Sequence, residues 1–187
     1  LFHFTNFVQM NYDEAIKLFL SPEFSDVFLK EDFHLKAIYQ TLIKGADKHI
    51  ALEEFLIEAN KKNKINLTLT ETNKTFTNVT EETGDIVVIT KDTWGYVAVH
   101  IETDIDFIRL SKKILTAEDF AGSNYEYNYY IDNTKLHDGM NYGRITFVSH
   151  YQELVYEITV DNRTPKQELR IERKDCICRL NQIYLKF

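Results

Sequence analysis

Asp92-Thr93-Trp94-Gly95-Tyr96-Val97-Ala98-Val99-His100-Ile101-Glu102-Thr103-Asp104 is the stretch that decides the fold of this 187-residue chain. On an extended backbone Val97, Val99 and Ile101 face one way while Trp94, Tyr96 and Ala98 face the other. Both faces are therefore apolar, the pattern of a central strand. Upstream, Ile65, Leu67 and Leu69 alternate with Asn66, Thr68 and Thr70, which predicts a strand with one wet face. Asp85–Thr90, Asp106–Leu110, Asn124–Ile131, Gly143–Ser149 and Gln152–Val160 supply further extended runs. Turn chemistry separates them at Gly84, Asp92-Thr93, Asp119–Gly122 and Asp132–Tyr142. About seven strands in about 100 residues, with turn signals at short regular spacing, predict an immunoglobulin-like antiparallel β-sandwich.

On either side of this region the period is helical. Phe4, Phe7, Val8, Ala15, Ile16, Phe19 and Leu20 recur at three-to-four spacing until Ser21-Pro22. Phe24, Val27, Phe28 and Leu29 form a second stripe, and Phe33, Ala37, Ile38, Leu42 and Ile43 a third that Gly45 can end. Asp47 reads as the cap of a helix carrying Ile50, Leu52, Phe55, Leu56 and Ala59. The reading is three or four short helices over residues 1–63, a sandwich over 64–162 and a C-terminal helix over 163–187, an α+β chain. In the last segment Leu169, Arg173, Cys176, Leu180, Tyr184 and Phe187 share a stripe. It holds seven Lys or Arg against three Asp or Glu, in a chain of net charge −7. Such a helix is expected either to dock on the acidic remainder or to carry a solvated basic face.

Three pieces of the β region carry a resemblance: Asp92–Asp104 with Phe107-Ile108-Arg109-Leu110, Asp119-Phe120-Ala121-Gly122, and the run from Tyr130 to Gly143. Together they resemble the BACON-like immunoglobulin-fold modules of large uncharacterised bacterial proteins, mostly clostridial. In those proteins the module follows a short helical segment and precedes helical repeats. The resemblance is best over residues 65–162, and it implies folding roles without catalytic residues to transfer. The same residues make physical sense alone. Trp94 supplies packing surface, Asp119 and Asp132 can bond their own turn backbones, and Gly139 and Gly143 permit positive φ or close chain approach.

Composition bounds the function. With 44% hydrophobic residues, 27% charged, six Gly and two Pro, the chain is neither disordered nor repetitive. Its acidic balance argues against electrostatic wrapping of nucleic acid, and no apolar run is long enough for a membrane span. The opening Leu1-Phe2-His3 reads as a fragment or a processed form. Neither a nucleophile elbow, a phosphate-binding loop nor a zinc-protease motif is present. His137-Asp138 resembles one piece of a metal phosphohydrolase site, but it falls in a predicted loop. Cys176 and Cys178 lie on different sides of a helix, cannot bridge one another, and are expected as buried or half-buried free thiols, favouring a reducing, cytoplasmic setting. Of four Asn-x-Thr sequons, at Asn66, Asn73, Asn78 and Asn162, three crowd into one Asn- and Thr-rich stretch. No catalytic residue, metal ligand or cofactor is expected.

The aromatic residues are the binding candidates: Trp94, Tyr125, Tyr127, Tyr129, Tyr130, Tyr142 and Tyr151. Tyr125, Tyr127 and Tyr129 share one face of one strand, so they either line the core or form an exposed ladder suited to sugars or a protein partner. The expected function is a non-enzymatic structural or protein-interaction module, its partner another protein or the rest of its parent chain. The alternative is a carbohydrate-binding module whose site is the exposed aromatic face.

Overall fold

The computed structural model describes residues 1–163 and 165–184. Five helices come first: α1 (Phe2–Met10), α2 (Tyr12–Phe19), α3 (Phe24–Phe28), α4 (Phe33–Leu42) and α5 (Lys48–Glu58). The expected count was three or four. The difference arises at Asn11, whose extended backbone breaks the first stripe while its side chain accepts the Glu14 amide to cap α2. Asp32 caps α4 through the Leu35 amide at 2.9 Å, and Asp47 caps α5 through the His49 amide at 2.8 Å. Capping turns this tight let the apolar faces meet in one cluster. Phe24 is its hub, packed against Phe4, Phe19, Tyr39 and Phe55 with ring centroids 4.8–5.7 Å apart. The Tyr39 hydroxyl donates to the Phe19 carbonyl at 2.8 Å, so its polar end is satisfied inside the cluster.

Among the described residues nine strands follow: β1 (Leu67–Leu69), β2 (Asn73–Thr77), β3 (Thr83–Lys91), β4 (Ala98–Thr103), β5 (Ile108–Leu110), β6 (Ile114–Thr116), β7 (Asn124–Ile131), β8 (Gly139–Val148) and β9 (Glu153–Asn162). They form two sheets, ordered β1-β3-β7-β5 and β2-β9-β8-β4-β6. The immunoglobulin-like α+β reading holds, with two additions. β2 and β6 lay outside the expected seven because neither shows an apolar alternation: β2 carries one apolar residue, Phe76, and β6 is three residues long. Both sit at sheet edges, and β2 pairs with β9 in parallel, a departure from a purely antiparallel sandwich. Val87, Ile89, Val99, Ile101, Tyr127, Tyr129, Phe147, Tyr156 and Ile158 fill the space between the sheets.

The turn residues act as their chemistry predicts. Asp119 Oδ2 accepts the Thr116 amide at 2.8 Å, and Asp132 Oδ1 accepts the Thr134 amide at 3.0 Å. At Gly143 a Cβ would lie 2.5 Å from Ile105 and 2.8 Å from Ile108, so only hydrogen fits.

The last element among the described residues is α6 (Pro165–Tyr184). Every described side chain along it is exposed, including Leu169 at 60%. Docking on the acidic body is therefore not seen for those residues. Cys176 and Cys178 are exposed free thiols, which corrects the expectation of buried ones. No helix among the described residues is long and apolar enough to cross a membrane.

Candidate functional site at the helix–sandwich junction

The helical cluster and the sandwich meet around one buried charge pair. Glu53 sits on the inner face of α5, one turn from His49 and beside Leu52 and Leu56. A carboxylate at that position must find a cation or lose its charge. It finds Lys62, in the link between α5 and β1; the two side chains form an ion pair and are each 1% exposed. Lys62 also donates to the Trp94 carbonyl at 2.8 Å, and its ammonium lies 4.6 Å from the Trp94 ring centroid. Glu53 Oε1 accepts the Tyr96 amide at 2.9 Å and the Tyr12 hydroxyl at 3.2 Å. One helical carboxylate thus gathers a linker lysine, the Trp94–Tyr96 backbone of the sandwich and the start of α2.

The backbone had to bend to allow this. Gly95 has φ +128°, a conformation in which a side chain is strained. A Cβ there would strike Lys62 Nζ and lie 2.8 Å from both Glu53 oxygens. The same bend stops β4 at Ala98, so Trp94–Val97, expected as strand, is a loop reaching toward the helices. Gly95→Ala is expected to cost about 2–3 kcal/mol from strain and overpacking. Urea unfolding measures it, and an unchanged midpoint would show that the loop can move away from the pair.

Beside the pair, the rings of Tyr12, His49 and Tyr96 lie nearly parallel: Tyr12–His49 at 6.0 Å, His49–Tyr96 at 4.6 Å and Tyr12–Tyr96 at 6.4 Å. Burial, then the Glu53 charge, holds the Tyr12 phenol well above the ordinary tyrosine range. Tyr96 is raised for the same first reason, helped by Asp47. Lys91 is lowered by burial and by the charge of Lys62. A second contact joins Glu54 to the β8–β9 turn, where His150 Nε2 is 3.8 Å from Glu54 Oε1.

Over residues 1–187 the sequence matches the model of a family described as the N-terminal region of the family of unknown function DUF5717. The chain belongs to that family. Among curated proteins, none matches it in sequence. Solved structures similar to about half of this DUF5717 chain include PapD-like domain 7 of human CEP192, at 8% identity over 51% of this chain and 83% of that one, TM-score 0.39. WR4, an MSP family member of C. elegans, matches at 6% identity over 51% and 95%, TM-score 0.37. The apo Calx CBD1 domain matches at 11% identity over 51% and 95%, TM-score 0.37.

The seven aromatic candidates in this DUF5717 chain do not form one site. Tyr127 and Tyr129 are 0% exposed and belong to the core, the first of the two arrangements that their shared face left open. The Tyr127 hydroxyl donates to the Lys112 carbonyl at 2.7 Å, and burial pushes the phenol up to about 12. Tyr125 is half-buried at the edge of the same core, beside Phe120 and Tyr127. Tyr130 faces outward under the Arg109 guanidinium, 5.1 Å away. Tyr142 is 67% exposed on the five-stranded sheet. Tyr151 and Trp94 sit at the junction, half-buried. The backbone of His137 exchanges hydrogen bonds with the buried Asn141 side-chain amide, each at 2.8 Å. Among the described residues, no three or more His, Cys, Asp or Glu gather as a metal site.

Sequence reading missed Glu53, Lys62, Gly95, Tyr12 and His49. One signal was present: Glu53 shares the apolar face of α5 with Leu52 and Leu56, and a charge on a buried stripe calls for a partner.

Proposed function

We propose that this chain is a non-catalytic structural and protein-interaction module of a larger bacterial protein, related to BACON-like modules, in which two lobes act as one rigid body. The observation that supports the reading is the Glu53–Lys62 pair. A fully desolvated charge pair stitching α5 to the Trp94–Tyr96 loop makes separation of the lobes costly, because parting them exposes or orphans both charges. A rigid unit of this kind suits spacing and presentation. The carbohydrate alternative loses its ladder with Tyr127 and Tyr129 in the core.

Thermal unfolding tests the reading. Trp94, the chain's only tryptophan, reports the junction; far-ultraviolet dichroism reports mainly the helices and the β-sheet amide I infrared band the sandwich. All three probes are expected to give one coincident transition. Separate transitions would mean independent lobes, and turnover on a hydrolase substrate panel would overturn the non-catalytic assignment.

A further inference from the structure

A cleft of about 570 Å³ opens on the outer side of the junction, between the α1–α2 turn, the start of α5, the Trp94–Val97 loop and Thr116–Glu118. That volume suits a small organic ligand. Three features define what would fit. First, the nearly parallel rings of Tyr12, His49 and Tyr96 pack together at the cleft, and Trp94 also lines it. The Tyr12 hydroxyl is already committed to Glu53 and the His49 carbonyl, so its ring rather than its hydroxyl is free for a guest.

Second, the charged lining is acidic. Asp13 and Glu118 border the cleft, and neither lysine nor arginine is among its lining residues. Asp47 adds its negative charge nearby, 3.6 Å from His49. Aromatic faces carry negative quadrupole density, and carboxylates at the rim reinforce it. Third, the protein already uses this chemistry next door: Lys62 lies over the Trp94 ring. That cation comes from within the chain, while the cleft remains open to one from outside.

We propose that this cleft binds an organic cation, an alkylguanidinium or alkylammonium head lying against the Tyr12–His49–Tyr96 rings with Asp13 and Glu118 as counter-charges. The source is either a free small amine or the side chain of a basic peptide. Both present the same head.

Because Trp94 is the only tryptophan and lines the cleft, its fluorescence reads occupancy directly. The titrants are N-acetyl-arginine amide, agmatine and N-acetyl-citrulline amide, the last matching arginine in shape without its charge. Saturable shifts are expected with the first two and none with citrulline. Asp13→Asn combined with Glu118→Gln, both at exposed positions, is expected to weaken binding about fivefold to tenfold while leaving the unfolding midpoint in place. Tighter binding of agmatine would point to a free amine, and tighter binding of the arginine amide to a peptide side chain. An equal response to citrulline, an affinity unchanged in the double variant, or no saturation would each overturn the proposal. None of those results would bear on whether the lobes unfold together, so the two readings fail separately.

Discussion

Lys62→Met is expected to lower the free energy of unfolding by about 3–5 kcal/mol, a large share of the roughly 5–15 kcal/mol that holds a domain of this size together. The methionine fills similar volume, so the loss is electrostatic. Glu53 keeps the Tyr96 amide and the Tyr12 hydroxyl as donors but loses the cation that offset its desolvation. The Trp94 carbonyl loses its donor as well. Adding Glu53→Gln is expected to recover part of the cost, since a neutral amide carbonyl can still accept from Tyr96 and no longer needs a counter-charge. Urea unfolding of the two single variants and the double variant forms a cycle, with a coupling of about 2 kcal/mol or more expected. Additive losses would show that the two side chains do not depend on each other. The single variant is also expected to separate the junction signal of Trp94 from the sandwich signal.

Tyr129→Ala is the second large effect, about 3–5 kcal/mol, because it empties a fully buried aromatic position between the sheets. The ring packs 5.6 Å from Tyr156, and the two hydroxyls are 3.2 Å apart. The Tyr129 hydroxyl also reaches Asp85 Oδ2 at 3.2 Å, and the Tyr156 hydroxyl donates to Glu71 at 2.9 Å. Tyr129→Phe separates ring from hydroxyl and is expected to cost only about 1–2 kcal/mol. The same pair has an alkaline signature. Burial first, then the bond to Tyr156, holds the Tyr129 phenol far above its ordinary value. Its folded-state pKa is raised, so its contribution is complete below about pH 10 and declines as pH rises beyond that, where unfolded-chain phenols ionise and the native one does not. Tyr129→Phe is expected to make that alkaline decline shallower. If Tyr129→Ala left the unfolding midpoint unchanged, the residue would not be in the core.

Much of the architecture was legible from local pattern. β7 spans Asn124–Ile131 as its alternation predicted, and α5 starts after Asp47 because an aspartate there can accept the first free amides of a helix. Asp119, Asp132 and Gly143 play roles that follow from side-chain size and reach alone. The site was harder to read. Alternation showed that Tyr125, Tyr127 and Tyr129 share a face, but a period of two cannot say which face meets a second sheet. Nor could it find β2, an edge strand held to β9 by parallel backbone pairing that carries almost no side-chain signature.

By itself, then, the sequence determined the elements whose causes lie within a few residues: caps, turns, periods and the helical-to-extended change near Lys61–Lys64. Only the tertiary structure decided which faces are core, how the strands are ordered, and that Lys62 leaves the polar linker to sit between Glu53 and Trp94. Those contacts join residues 9 and 32 positions apart, two of them on separate lobes. Their energy comes from desolvation, and a charge is desolvated only when distant segments close over it.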